Sequence, residues 1–256
     1  MTPVTALIAK ELRSYFVSPV VYVVAAVFLL IFGVLAYAMV LVAGTVAIQQ
    51  MQFQQAAAQL NLNDLVLRPA FGNLRLILLL VLPLLTMRLF AEERKLRTFE
   101  LLMTSPIGTN EIVTGKFMAV LALFMGMLSL TLLTPLTLSL FSSFDWRPVW
   151  TGYLALVLLG GLFLATGLLA SALTENQIVA AFLSFGFLLV LWLVGSLGSI
   201  LGDTTAGNFF TAVSFIDHFD RLLRGLIDTK DLVYYLSGIV LMLFLAHRVV
   251  DAQRWT

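Results

Sequence analysis

Cysteine is absent from this chain, which excludes a disulfide framework, a thiolate nucleophile and any Cys-based metal site. Charge is also scarce, with Asp, Glu, Lys and Arg making up only 11% of the residues. The formal net charge is +1, so no global basic field exists to draw in nucleic acid, and each charge informs only through its position. What fills the chain is hydrocarbon: 61% hydrophobic residues, 20 Phe among 256 residues and a mean hydropathy of +1.01. That composition lies far outside the soluble range and predicts an all-α polytopic membrane protein.

A membrane-crossing helix needs about 20 mainly apolar residues, because its backbone amides must be satisfied within the segment. Six stretches qualify: about Val20 to Ile48, Phe71 to Phe90, Ile112 to Phe141, Val149 to Ala172, Gln177 to Leu201 and Leu232 to Val250. The first leads into Gln49 to Asn63, whose Gln and Asn residues predict an exposed helix or loop. Ala36-Tyr37-Ala38 mimics a signal-peptidase site, but the apolar run around it exceeds the roughly 7 to 15 residues of a signal core, so it reads as a retained span.

Orientation follows from Lys and Arg placement. With the N-terminus inside, that side holds Lys10, Arg13, Arg88, Arg94, Lys95, Arg97, Lys116, Arg248 and Arg254. The other side holds Arg68, Arg75, Arg147, Arg221, Arg224 and Lys230, several of them in one long loop that the rule discounts. Both termini are therefore expected in the cytoplasm, in a multi-pass protein of the inner cell membrane.

Ahead of the first span, Thr2 is placed to cap a helix with Pro3 at its first position. Val4, Leu7, Ile8, Leu12, Tyr15 and Phe16 share one face, and Lys10, Glu11, Arg13 and Ser14 the other. Ser18-Pro19 breaks this helix, so residues 1–18 are expected to lie along the inner membrane surface; the alternative is a plain extension of the first span.

The densest charge is an island, Glu92-Glu93-Arg94-Lys95-Leu96-Arg97-Thr98-Phe99-Glu100, in which six of nine residues are ionisable. Leu89, Leu96, Phe99, Leu102 and Met103 recur at helical spacing, and Glu93 and Arg97 stand four apart as a favourable pair, so 91–107 predicts an amphipathic cytoplasmic helix. Ser105-Pro106 stops it, Gly108 permits a turn, and Thr109 or Asn110 caps the next span with Glu111 in its first turn. Physics alone assigns such an island equally to solvating a hairpin and to docking another protein.

The run Glu-Glu-Arg-Lys-Leu-Arg-Thr-Phe-Glu-Leu-Leu-Met-Thr-Ser-Pro-Ile, Glu92 to Ile107, resembles the coupling segment of ABC-2 type permeases. The resemblance implies that Glu92, Glu93, Arg94, Arg97, Thr98, Glu100, Leu101, Leu102, Ser105 and Pro106 couple the chain to a separate ATP-binding subunit. In the family pattern a Gly often precedes the Thr, where this chain has Arg97.

A second run, His218 to Asp228 followed by Lys230-Asp231-Leu232-Val233-Tyr234-Tyr235-Leu236, is similar to the ABC-2 branch that includes gliding-motility permeases. Phe215, Phe219, Leu222, Leu223 and Leu226 form one face, with Asp217, Asp220, Arg221, Arg224 and Asp228 mainly elsewhere. This predicts an amphipathic outer-face helix, partly re-entrant, within an extracytoplasmic segment over 203–230. With the six spans and the N-terminal helix, the resemblance covers essentially the whole chain and implies one permease domain over 1–256.

Chemistry of the chain's own is not assigned: no catalytic, cofactor-binding or metal residue is expected. Gly115-Lys116 has the ending of a nucleotide loop, but Asn110 stands where its first Gly is needed and Phe117 replaces the Ser or Thr that would hold magnesium. Asp217, His218 and Asp220 are adjacent without a completed ligand set.

Arg75 and Arg88 bracket twelve uncharged residues, about 20 Å of helix and short of a full crossing, so at least one must snorkel or face protein. Arg75 either lines a translocation path or reaches the outer head groups, which costs less. Pro83 and Pro135 favour kinks in spans two and three, and Gly160, Gly161, Ala165 and Gly167 give span four a small face for close helix approach.

The resemblance implies the membrane subunit of an ATP-driven exporter. Two permease chains, identical or different, form the path, ATP and magnesium sit in the partner ATPases, and an extracytoplasmic accessory subunit is a further candidate partner. An ion-coupled secondary transporter is the alternative, but the spans hold no acids away from their ends. A non-transporting scaffold is a third reading, which the coupling-like helix weighs against.

Overall fold

Long apolar runs deprive the backbone of water as a hydrogen-bond partner, and the chain meets this with helices. They are α1 (Pro3–Val17), α2 (Pro19–Gln52), α3 (Arg68–Thr86), α4 (Ala91–Lys95), α5 (Thr109–Thr131), α6 (Leu133–Phe141), α7 (Arg147–Ala172), α8 (Gln177–Leu201), α9 (Thr205–Val213), α10 (Phe215–Leu223) and α11 (Thr229–Ala252). The computed structural model describes residues 3–52, 63–100, 107–141, 145–202 and 204–253, and among these there is no strand. Thr2, most of the Gln-rich tail, and Leu101, Leu102, Met103, Ser105 and Pro106 lie outside the described residues.

Among the described residues, six helical segments have the length and apolar composition to cross a membrane: Pro19–Gln49, Asn63–Lys95, Thr109–Leu140, Arg147–Ala172, Gln177–Gly198 and Thr229–Ala252. They correspond one for one to the six expected spans. An even number of crossings puts α1, α4 and the end of α11 at one end of the bundle, here the near end. The start of α3, the start of α7 and α9–α10 lie at the far end.

α7 is the axis of the bundle. Its small residues let neighbours approach where side chains would forbid it. A Cβ at Gly160 would overlap the Phe124 ring of α5, one at Gly167 would overlap the Thr86 hydroxyl of α3, and one at Gly152 would stand 2.7 Å from the Phe71 ring. The expected small face is therefore in contact with protein on several sides, and Ala155, Ala165, Ala170 and Ala172 are all fully buried.

The third span breaks at Leu132, between α5 and α6. The physical cause is Pro135, which has no N–H for the carbonyl of Thr131 four residues earlier. Pro83 lies inside α3, which ends three residues later at Thr86. The cap of α5 falls at Gly108, rather than at Thr109 or Asn110. The Glu111 carboxylate accepts from the Gly108 N–H at 3.1 Å.

The amphipathic helix expected from Phe215 onward is α10, and a second helix, α9, which the sequence reading does not assign, precedes it. α9 turns back along α8, with Thr211 against Gly198 and Ser214 against Gly195. α10 then returns along α7, from Phe215 edge-on to Phe163 at 5.5 Å to Leu223 beside Gly152. Those α7 positions are about 16 Å apart at 1.5 Å per residue, so the hairpin dips roughly half a hydrocarbon thickness from the far end. Ser214, fully buried at the turn, caps α10 by accepting from the Asp217 N–H at 3.4 Å.

Candidate functional site

At the near end, α1 buries Leu7, Glu11 and Tyr15, which follow one another at helical spacing of four. Sequence periodicity places Glu11 with the exposed charges, and the structure corrects this: Glu11 points into the bundle because a cation waits there. Lys116 of α5 is 1% exposed, and its Nζ lies 2.9 Å from Glu11 Oε1 and 2.9 Å from Glu93 Oε1. Lys10, itself well exposed, adds contacts of 3.5 Å to Glu93 and 3.8 Å to Glu11. The Lys116 ammonium also sits 5.3 Å from the Phe90 ring centroid. Two carboxylates from α1 and α4 therefore share one buried ammonium from α5, the arrangement that makes a buried charge tolerable.

The expected Glu93–Arg97 helical pair does not form, since Glu93 turns inward to Lys116 and α4 ends at Lys95. The Thr98 N–H bonds the Glu93 carbonyl at 2.9 Å and the Arg97 N–H bonds that of Arg94 at 3.0 Å. This is a Schellman turn. Its left-handed position, at φ 56°, is held by Arg97, the place where the family pattern often has Gly. An L side chain there costs about 1–2 kcal/mol. Helix resumes at Phe99, so the segment expected as one helix over 91–107 is bent at Leu96–Thr98.

Two further contacts fix the start of the island. Ser171 Oγ of α7 accepts from the N–H groups of Phe90 at 3.0 Å and Ala91 at 3.1 Å, and donates to the Met87 carbonyl at 3.0 Å. Arg88 lies 4.4 Å over the Tyr15 ring, whose hydroxyl donates to the Leu85 carbonyl at 3.1 Å. Burial pushes the Tyr15 hydroxyl well above its ordinary pKa. Arg88 thus faces protein.

The outward side of the island carries Lys95, Leu96, Arg97, Thr98 and Glu100, all exposed, while Glu92, Glu93 and Arg94 are half-buried. Arg94 stacks 5.2 Å over Phe99, and its Nε and Nη2 are buried without a hydrogen-bond partner among the described residues. A groove of about 570 Å³ runs between the island and the α7–α8 connection, lined by Arg94, Lys95, Arg97, Glu175, Asn176 and Gln177.

At the far end, Arg75 also faces protein. Its Nη1 lies 3.4 Å from Asp220 Oδ1 of α10, and its guanidinium sits 5.6 Å over the Phe219 ring. Asp217, His218 and Asp220 do not converge on one point. His218 Nδ1 instead lies 2.6 Å from Asp231 Oδ1, and its ring stacks on Tyr234 at 4.1 Å. Arg221 Nη2 donates to the same Asp231 oxygen at 2.6 Å. This network, with the Tyr235 hydroxyl donating to the Phe215 carbonyl at 2.8 Å, clamps the hairpin to α11.

Sequence reasoning names Glu92, Glu93, Arg94, Arg97, Thr98 and Glu100, and the structure gathers these on one bent segment. It misses Glu11, Lys116 and Ser171, which hold that segment to the bundle. A signal existed for the first two: a lone Lys one turn inside an apolar span, and an acid in register with Leu7 and Tyr15. Ser171 has no such signature.

No curated protein matches the chain. The family model described as ABC-2 family transporter protein matches residues 5–250, nearly the whole length. A helical bundle of six candidate spans, with a bent charged segment anchored at one end, thus belongs to the ABC-2 family of transporter proteins, as a permease component.

Proposed function

We infer that the chain is the membrane subunit of an ATP-driven ABC-2 exporter, working as a dimer whose separate ATP-binding subunits dock on the near end. That end is then cytoplasmic, in the inner cell membrane, and ATP and magnesium belong to the partner. The run 218–236 supports the branch of the family that includes gliding-motility permeases.

The observation that carries this reading is the anchoring of the island. A segment that only solvated a hairpin would not need a Lys buried between two carboxylates or a Ser accepting two backbone N–H groups. Because Glu93 bonds Lys116 on α5, Lys116 bonds Glu11 on α1, and Phe90 and Ala91 bond Ser171 on α7, a push on Leu96–Glu100 reaches three helices besides α3. The strained Arg97 turn presents Arg97, Thr98 and Glu100 outward, where a partner meets them. Glu93 acts as an internal strut, so charge reversal there disturbs folding, whereas reversal at exposed Glu100 disturbs docking alone.

The test uses the chain reconstituted with its ATP-binding subunit. Glu100→Arg is expected to insert and fold normally, yet lose stimulation of ATP hydrolysis, because a like charge now faces the complementary surface. Undiminished stimulation with this variant would remove Glu100 from the docking surface.

A further inference from the structure

The far end contains a small cavity that coupling does not use. Its volume is about 130 Å³, and it is lined by Asn63, Asp64 and Leu67 of the π-helical turn Asn63–Leu67 that leads into α3, by Arg68 and Phe71 of α3, by Pro148 of α7, and by Leu223 and Arg224 at the end of α10. The floor is apolar and buried: Leu67, Phe71 and Leu223 are each at most 5% exposed. The rim is cationic. Arg68 has only a 3.9 Å contact with the largely exposed Asp64, and Arg224 makes no ion pair among the described residues.

Among the residues lining the cavity, Arg68 and Arg224 stand against Asp64 alone, a net positive charge. Of the acids beside it, Asp228 lies 2.9 Å from Lys230 and Asp220 serves Arg75, while Asp145, which accepts from the backbone N–H of Arg147 at 3.0 Å, keeps its charge but does not line the cavity. Its level is marked by Trp146 and Trp150, tilted together at 6.4 Å on either side of Pro148, residues that favour the boundary between hydrocarbon and head groups. Directly after Arg224, Leu226 and Ile227 are 60% and 57% exposed, apolar side chains suited to the acyl layer beside that boundary.

We propose that this cavity is a binding site for a phosphate-bearing lipid head group of the far leaflet, with Arg68 and Arg224 donating to the phosphate oxygens and Leu226 and Ile227 lying along the acyl chains. Arginine presents a fork of donors matched to phosphate, and each charge-assisted contact at a partly desolvated site is worth roughly tenfold in affinity. Net negative head groups are preferred over zwitterionic ones, because a choline group brings a second cation to an already positive rim.

The purified full-length chain is exchanged into mixed micelles containing phosphatidylglycerol and phosphatidylcholine in equal amounts, and retained lipid is counted by native mass spectrometry. Wild type is expected to retain phosphatidylglycerol selectively. Arg68→Gln and Arg224→Gln should each lower that selectivity by roughly tenfold, while Arg147→Gln, on an arginine at the same level that does not line the cavity, leaves it unchanged. Thermal melting of each variant separates loss of fold from loss of site. Selectivity that survives both cavity substitutions, or that falls equally with Arg147→Gln, overturns the site. Inorganic phosphate is added as a competitor: retention that persists supports the lipid, and complete displacement at equal concentration assigns the cavity to a soluble phosphate and overturns the lipid reading.

Discussion

Replacing Lys116 by Met removes the buried ammonium that Glu11 and Glu93 share while keeping an unbranched stem of similar volume. Glu11 Oε1 and Glu93 Oε1, each 2.9 Å from the lost Nζ, then face each other with most of their surface out of water. Removing one partner of a buried ion pair costs about 3–5 kcal/mol, chiefly because the remaining charge is uncompensated. Lys10, at 3.5 Å and 3.8 Å from the two carboxylates, offsets part of this, by at most about 1 kcal/mol for an exposed cation. The net expectation is about 3 kcal/mol, read from the unfolding equilibrium of the purified chain in mixed micelles. Adding Glu11→Gln and Glu93→Gln to Lys116→Met should restore most of the loss, since replacing a whole ionic cluster by neutral groups is often nearly neutral. A single-variant cost below about 1 kcal/mol, or a triple variant less stable than the single one, would refute the shared-ammonium account.

Arg97→Gly should stabilise the isolated chain by about 0.5–1 kcal/mol, because glycine takes the left-handed conformation freely but loses more entropy on folding; the same unfolding equilibrium measures it. Gly160→Ala is expected to cost about 1–3 kcal/mol through its overlap with Phe124, whereas Gly33→Ala, with no atom within 4 Å of the added carbon, should leave the melting temperature unchanged or raise it. Asp231→Asn withdraws the buried carboxylate from Arg221 and His218, and hydrogen exchange should show α10 losing protection while α7 keeps its own.

The six spans were legible because hydropathy over about 20 residues is a property of one segment alone. So was the amphipathic character of α1 and of the region around 215–226. What sequence periodicity could not supply was the partner across the bundle. It assigned Glu11 to water, since an acid beside Lys10 and Arg13 reads as a solvated face, and only Lys116, more than a hundred residues away, turns it inward. It also paired Glu93 with Arg97 along one helix, where the stronger attraction to a buried ammonium and the Schellman turn at a non-glycine residue won. The reading missed α9, whose nine residues between Gly202 and Ser214 are too short for a clear period, and with it the hairpin that α9 forms with α10. Arg75 divided the reading between a path and a snorkelling residue, and Asp220 on α10 supplies a protein contact for it that span-by-span analysis could not anticipate.

If the bent island meets an ATP-binding subunit, position 100 lies within reach of that subunit. Because the chain has no cysteine, Glu100→Cys introduces a unique thiol, and a short thiol-to-amine cross-linker can be applied to membranes holding the chain with its ATP-binding partner. A cross-link to that subunit is expected at Glu100→Cys and none at a cysteine placed at Leu226 on the far end. No cross-link from position 100, or an equal yield from position 226, would contradict that contact.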